Sequence, residues 1–157
     1  MNEFPMTPRG KKLIEDELEK LIKVDREEIK IALAEARALG DLKENAEYHA
    51  AKEKQSHNEG KIADLQNKVA KAKVVDPTKL NTDKIMFGAT VTIFDVDKEE
   101  STTFQIVGDD EAQATDNMRS FNSPICKALI GKEEGDEVTV KVPKGEVNLE
   151  IESVEYK

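Results

Sequence analysis

Two largely apolar stripes, stepping by three and four apart from one step of eight in the first, and separated at a single glycine, constrain this chain more than anything else in it. Residues 8–39 carry Ile14, Leu18, Leu21, Ile29, Ala32, Ala36 and Leu39 on one stripe, the period of an amphipathic helix. Thr7 supplies an N-cap, and Pro8 fits the first helical position, where its missing N–H costs nothing. No Pro or Gly interrupts the run after Gly10, and Gly40 stands where a glycine closes a helix. The second stripe is Tyr48, Ala51, Gln55, Asn58, Ile62, Leu65, Val69 and Ala72, the spacing of a coiled coil. Pro77 ends it. Two long helices joined by so short a link must fold back antiparallel. A turn near residues 40–43 sets Ile14 against Val69, Leu18 against Leu65, Leu21 against Ile62 and Asp25 against Asn58, so that polar positions face each other. Arms of about 30 residues predict a hairpin roughly 45 Å long at 1.5 Å per residue.

Past Pro77 the period changes from helical to alternating. Residues 89–95, 102–107, 137–142 and 147–153 are rich in β-branched side chains and read as strands. Between the second and third, Ser123 caps a short helix with Pro124 at its first position and Gly131 at its end. The Pro-Lys-Gly run at 143–145 signals a hairpin turn. The fold class is therefore α+β. Residues 1–76 form an antiparallel coiled-coil hairpin with an acidic tip at 40–47, residues 77–83 a linker, and residues 84–157 a small globular domain.

Charge separates the two parts. Residues 1–80 hold 16 basic and 16 acidic side chains, and the remaining 8 basic and 17 acidic ones put the whole net charge of −9 in the second half. Phosphate backbones repel such a surface, so autonomous DNA binding is expected to be weak or absent. A basic protein surface is the natural partner of the acidic half. One cysteine, Cys126, excludes an intramolecular disulfide and suits a reducing compartment. No apolar signal core and no bilayer-spanning run are visible, so a soluble, cytoplasmic monomer without membrane association is expected.

The segment between the two stripes, GDLKENAEYHAAKE at 40–53, resembles the coiled-coil tip of the Gre family of bacterial transcript-cleavage factors. The likeness extends along FPMT at the N-terminus, FGATVTI at 87–93, IVGDDEA at 106–112, NSPI, ALIGK and EGDEV. Within that family the tip and its basic face resemble the GreA branch more than the GreB branch. The resemblance implies an FKBP-like globular domain that grips bacterial RNA polymerase. It also implies a hairpin that enters the secondary channel, where the polymerase cleaves the 3′ end of its own backtracked RNA. Asp41 and Glu44 match the two acidic tip residues that help hold a second Mg²⁺ at the polymerase active site. The free protein would carry no cofactor, and the chain would be an accessory factor rather than an enzyme. A hard cation that keeps its waters and takes one or two carboxylates suits such a pair. Spacing alone favours another role, because Asp-x-x-Glu opening a helix is also a capping box. The two roles are compatible.

Arg37, Lys43, Tyr48, Lys52, Lys54 and Lys61, with Lys68 on the same face, resemble the family's RNA-contacting residues. The plain alternatives are helix packing of Tyr48 opposite Ala36, and a solvated face laced with Glu53, Glu59 and Asp64. His49 and His57 match no metal-binding spacing and read as ordinary helix residues. Cys126 is expected to pack beside Ile130. Asn122, Ser123, Pro124 and Ile125 match the family loop that contacts a coiled coil of the polymerase β′ subunit. Asp109, Asp110 and Glu111 add an acidic rim to that contact. Three competing functions remain at this level. One is an FKBP-like peptidyl-prolyl isomerase, for which aromatic side chains are few. The others are a channel-blocking Gre relative and a generic coiled-coil adaptor.

Overall fold

The computed structural model describes residues 3–40 and 44–157. Its contacts divide the chain into two units, one of Lys12–Lys71 and one of the N-terminal segment through Lys11 together with Ala72–Lys157. The first unit is the helical hairpin. Its first arm is α1 (Pro8–Lys20, entering from the other unit), a π turn (Leu21–Asp25) and α2 (Arg26–Ala38). Its second arm is α3 (Ala46–Ala70). Along α3 the buried and half-buried positions are Tyr48, Ala51, Gln55, Asn58, Ile62, Leu65, Lys68 and Val69, the predicted stripe with Lys68 added.

The first arm departs from expectation after Leu21. It is not one uninterrupted α-helix, because the N–H of Arg26 donates to the carbonyl of Leu21, five residues back. Beyond that turn Leu33 is buried, Ala32 is exposed, and Leu39 is 67% exposed. Ile29 and Ala36 keep their expected places on the seam, so the difference lies in Leu33 replacing Ala32 and in the exposure of Leu39. The amide of Asn58 donates to the same Leu21 carbonyl at 3.2 Å. Asp25, which lines the same groove as Asn58, lies 3.8 Å from Lys20 Nζ. One level on, Arg26 grips Glu59 with two hydrogen bonds, at 2.8 and 3.0 Å.

The second unit is built on a five-stranded sheet in the order β5-β4-β3-β7-β6. Its strands are β3 (Thr90–Asp95), β4 (Glu100–Val107), β5 (Met118–Ser120), β6 (Glu137–Val142) and β7 (Gly145–Glu155). All neighbours are antiparallel except β4 and β5. β5 runs parallel because the short helix α4 (Asp109–Ala114) carries the chain back from the end of β4. The inward-facing residues alternate: Val91 and Ile93, Val138 and Val140, Leu149 and Ile151. With Phe104 and Ile106 they meet Cys126 and Leu129 of α5 (Pro124–Leu129) in one core. Cys126 sits fully inside this core, whereas Ile130 is 38% exposed.

Residues 3–11 and 72–76 fall outside the helical unit with which the sequence reading grouped them. β1 (Phe4–Met6) pairs in parallel with β2 (Ala72–Val74), and Val75 N–H donates to Met6 carbonyl oxygen at 2.7 Å. Thr7 Oγ1 caps α1 by accepting from Gly10 N–H at 3.0 Å, and donates to Glu111 Oε1 at 2.5 Å. Glu111 is only 3% exposed. It therefore stands beneath the surface as a partner of the α1 N-terminus, where a carboxylate is favoured, rather than on an acidic rim.

Two helical glycines are expected to respond oppositely to alanine. A Cβ on Gly10 would come within 2.6 Å of Glu111 Oε1, whereas one on Gly60 meets nothing within 4 Å. Gly10→Ala should destabilise by about 1–3 kcal/mol through overpacking and loss of the carboxylate's bond. Gly60→Ala should stabilise the hairpin by about 1 kcal/mol through helix propensity. Thermal and urea unfolding of the two variants measure the signs.

Candidate functional site at the hairpin tip

The first arm closes with Leu39 N–H donating to Ala36 carbonyl oxygen at 3.2 Å and Gly40 N–H to Arg37 carbonyl oxygen at 3.4 Å. Gly40 has φ +124°, a conformation that side chains disfavour and glycine adopts readily. Asp41 and Lys43 lie outside the described residues. The second arm starts later than the capping-box reading requires. Glu44 is exposed and precedes the helix, and Asn45 is the N-cap of α3. Its Oδ1 accepts from Tyr48 N–H at 3.0 Å, and its Nδ2 donates to the Ala36 carbonyl at 2.5 Å. One side chain thus satisfies an orphan donor of one helix and adds a second donor to a carbonyl in the last turn of the other. Asn is as good a cap as Asp, so Asn45 was an available reading of the same segment.

The consequence is a division of roles. Capping belongs to Asn45, and the carboxylate of Glu44 stands outside that network. An exposed carboxylate is a fitting oxygen donor for a hard cation, which retains waters alongside one or two acidic ligands. Beside it, the Arg37 guanidinium lies 5.8 Å from the Tyr48 ring centroid, within reach of a cation–π attraction. Tyr48 is half-buried, and its ring meets His49 edge-on at 5.8 Å. Lys52 Nζ reaches Gln55 Oε1 at 3.4 Å. Lys54 and Lys61 lie farther along, lining a groove between the arms with Asp25, Glu28, Glu53 and His57. Lys68 pairs with Asp64 at 3.5 Å. The basic side chains therefore fall into a group by the tip and a mixed-charge groove.

The globular unit brings the other candidate residues together. Ser123 Oγ accepts from Cys126 N–H at 3.4 Å and donates to the Ser120 carbonyl at 2.7 Å, capping α5 with Pro124 next in line. Asp109, at the start of α4, accepts from Ser120 Oγ and, at 3.1 Å, from Asn122 Nδ2. The acidic end of α4 and the Asn122–Ile125 loop thus share one hydrogen-bonded surface, tied by Ser120, a residue that spacing did not single out. Pro124 is exposed, whereas Ile125 is half-buried against the core. Burial raises the pKa of the Cys126 thiol, with Ser123 and Arg119 opposing it, so this cysteine is a packing residue.

Asn45→Ala should cost about 1–2 kcal/mol of hairpin stability by loss of the cap. Asn45→Asp should cost less, since it keeps the acceptor for Tyr48 and loses only the donor to Ala36. Glu44→Gln should leave the melting temperature unchanged. Circular dichroism melts of the three variants give the order.

Similarity to known proteins is consistent over the whole length. Residues 4–74 match the family model described as transcription elongation factor, N-terminal, and residues 80–156 the model described as transcription elongation factor, GreA/GreB, C-term. Transcription elongation factor GreA of Vibrio cholerae is 54% identical over 157 residues, covering 99% of each chain. GreA of Thermodesulfovibrio yellowstonii is 52% identical over 153 residues, covering 98% of this chain and 97% of its own. Among solved structures, GreA factor homolog 1 of Thermus thermophilus aligns over 98% of this chain and 99% of its own, with TM-score 0.45 and 24% identity. With two family models spanning hairpin and globular domain and full-length relatives at about half identity, this chain belongs to the GreA/GreB family of transcription elongation factors.

Proposed function

We propose that the protein stimulates bacterial RNA polymerase to cleave the 3′ end of backtracked RNA, by inserting its hairpin through the secondary channel to the polymerase active site. The observation that carries this reading is the role of Asn45: because it caps α3, Glu44 is left exposed at the apex of the hairpin. Asp41 and Glu44 would hold Mg²⁺ there jointly with the polymerase. Bound Mg²⁺ would activate the attacking water and stabilise the leaving oxygen of the RNA phosphodiester.

The other residues take supporting parts. Arg37 and Tyr48, with Lys43 and Lys52, would contact the extruded RNA near the tip, and Lys54 and Lys61 would neutralise phosphates farther along. Asn122, Ser123, Pro124 and Ile125, with Asp109 and Asp110, would contact the polymerase β′ coiled coil. Asp109 supports that assignment by holding Asn122 in place. Glu111 is removed from that surface by its burial and kept as a structural residue. The chain acts in this reading as a cytoplasmic monomer that completes another enzyme's active site. The relatives' names give no support to an isomerase or to a channel-blocking inhibitor.

The expected behaviour of the tip follows from the separation of capping and metal binding. Asp41→Asn and Glu44→Gln remove charge at nearly constant size. Each should lower stimulated cleavage by at least about tenfold, equivalent to about 1.4 kcal/mol of transition-state stabilisation. Melting temperature and polymerase affinity should stay as in the wild type, and excess Mg²⁺ should partly restore the rate. Wild-type cleavage by both variants at matched occupancy would contradict the assignment. Ser123→Ala with Pro124→Ala should instead weaken polymerase binding and leave hairpin stability unchanged. A double variant that binds normally and cleaves poorly would contradict the loop's role.

A further inference from the structure

Arm 1 contains two apolar stripes beyond Leu21, and only one is used. The sequence continues most simply through Ile29, Ala32, Ala36 and Leu39, the stripe of an unbroken α-helix. The structure instead places Leu21, Asp25, Ile29, Leu33 and Ala36 along the seam and leaves Leu39 67% exposed. From Leu21 to Leu33 this seam advances by three successive steps of four. At 3.6 residues per turn such steps would carry the stripe about 120° round a straight α-helix. The π turn at Leu21–Asp25 holds the additional residue that keeps both ends on one face.

The only buried polar side chain of α3 lies at that turn. Asn58 is 7% exposed, and its amide donates to the Leu21 carbonyl, the same oxygen that accepts the Arg26 N–H. A side chain entering the ladder at this oxygen favours the wider turn. A buried polar residue in a helical seam is also a known way of fixing register.

We propose that Asn58 selects between the two stripes. By holding the π turn it fixes the phase of α2, and with it the placement of the tip. It is a positioning residue for the cleavage proposed above, and this inference rests on that reading. Without its amide, α2 would revert to the unbroken stripe, burying Leu39 and exposing Leu33. The two arrangements share Ile29 and Ala36 and differ at Leu33 and Leu39, toward the tip.

Two variants test this. Asn58→Leu replaces the amide by an apolar group of similar size, and Asn58→Ala removes it without adding bulk. The accessibility of the Leu33 and Leu39 methyl groups to a soluble paramagnetic probe reports the register by NMR. Stimulated cleavage at saturating factor and polymerase affinity are measured alongside. Both variants should exchange the accessibilities of Leu33 and Leu39. Cleavage at saturation should fall at least about tenfold, while affinity stays within about twofold, since the globular loop is untouched. If Leu33 stays protected and Leu39 exposed in both variants, Asn58 does not select the register. If the register changes and saturated cleavage does not, the positioning role is wrong. If the wild type gives no cleavage, the functional reading fails, and the methyl data still decide the register.

Discussion

A unit made of two antiparallel arms has one seam in which to find its stability. In Lys12–Lys71 that seam buries Ile14, Leu21, Leu33 and Ala36 from the first arm, and Ala51, Ile62 and Leu65 from the second, with Asn58 among them. Each large aliphatic side chain contributes about 1.5–3 kcal/mol on burial. A seam of so few leaves little margin against the entropy of ordering. A single buried amide then carries unusual weight, because it must be satisfied, and the Leu21 carbonyl satisfies it here. The exposed Arg26–Glu59 pair adds a bidentate marker of the same level, although exposed ion pairs stabilise little.

At the tip, Glu44 is left out of the helix cap. Helix ends need partners for their orphan groups, and an acidic apex would ordinarily spend its carboxylates on them. Here Asn45 serves both arms, accepting from Tyr48 and donating to Ala36. The globular unit shows a parallel economy: Ser123 caps α5, and Asp109 braces Asn122. At the tip the capping side chain stands next to the residue assigned to function, whereas in the globular unit Ser123 and Asp109 combine a structural part with the proposed contact.

Much of this was legible beforehand, for physical reasons that differ by element. The second arm follows its stripe from Tyr48 to Val69, because nothing interrupts its α-helical phase there, whereas Ala72, expected on the same stripe, lies in β2. Strands with clear alternation, such as Val91 and Ile93 or Val138 and Val140, pair as expected. The three-residue strands β1, β2 and β5 are too short to show a period, so Phe4–Met6 was absorbed into the hairpin. The π turn could not be read locally, since its partner Asn58 lies 37 residues away. Glu111 was misplaced because three consecutive acidic residues suggest a solvated edge, while its companion Thr7 is 104 residues distant. At the tip, the spacing of Asp41 and Glu44 fits a capping box, and spacing alone did not distinguish it from the cap observed at Asn45, four residues after Asp41.

The central claim concerns whose active site does the cutting. The direct measurement is the fate of 3′-labelled RNA in a stalled, backtracked elongation complex with Mg²⁺ present. The account predicts short 3′ fragments at a rate that rises with added protein and saturates, and none when the protein meets the same RNA without polymerase. Intact RNA in the complex at saturating protein, or fragments formed from RNA alone, would contradict it.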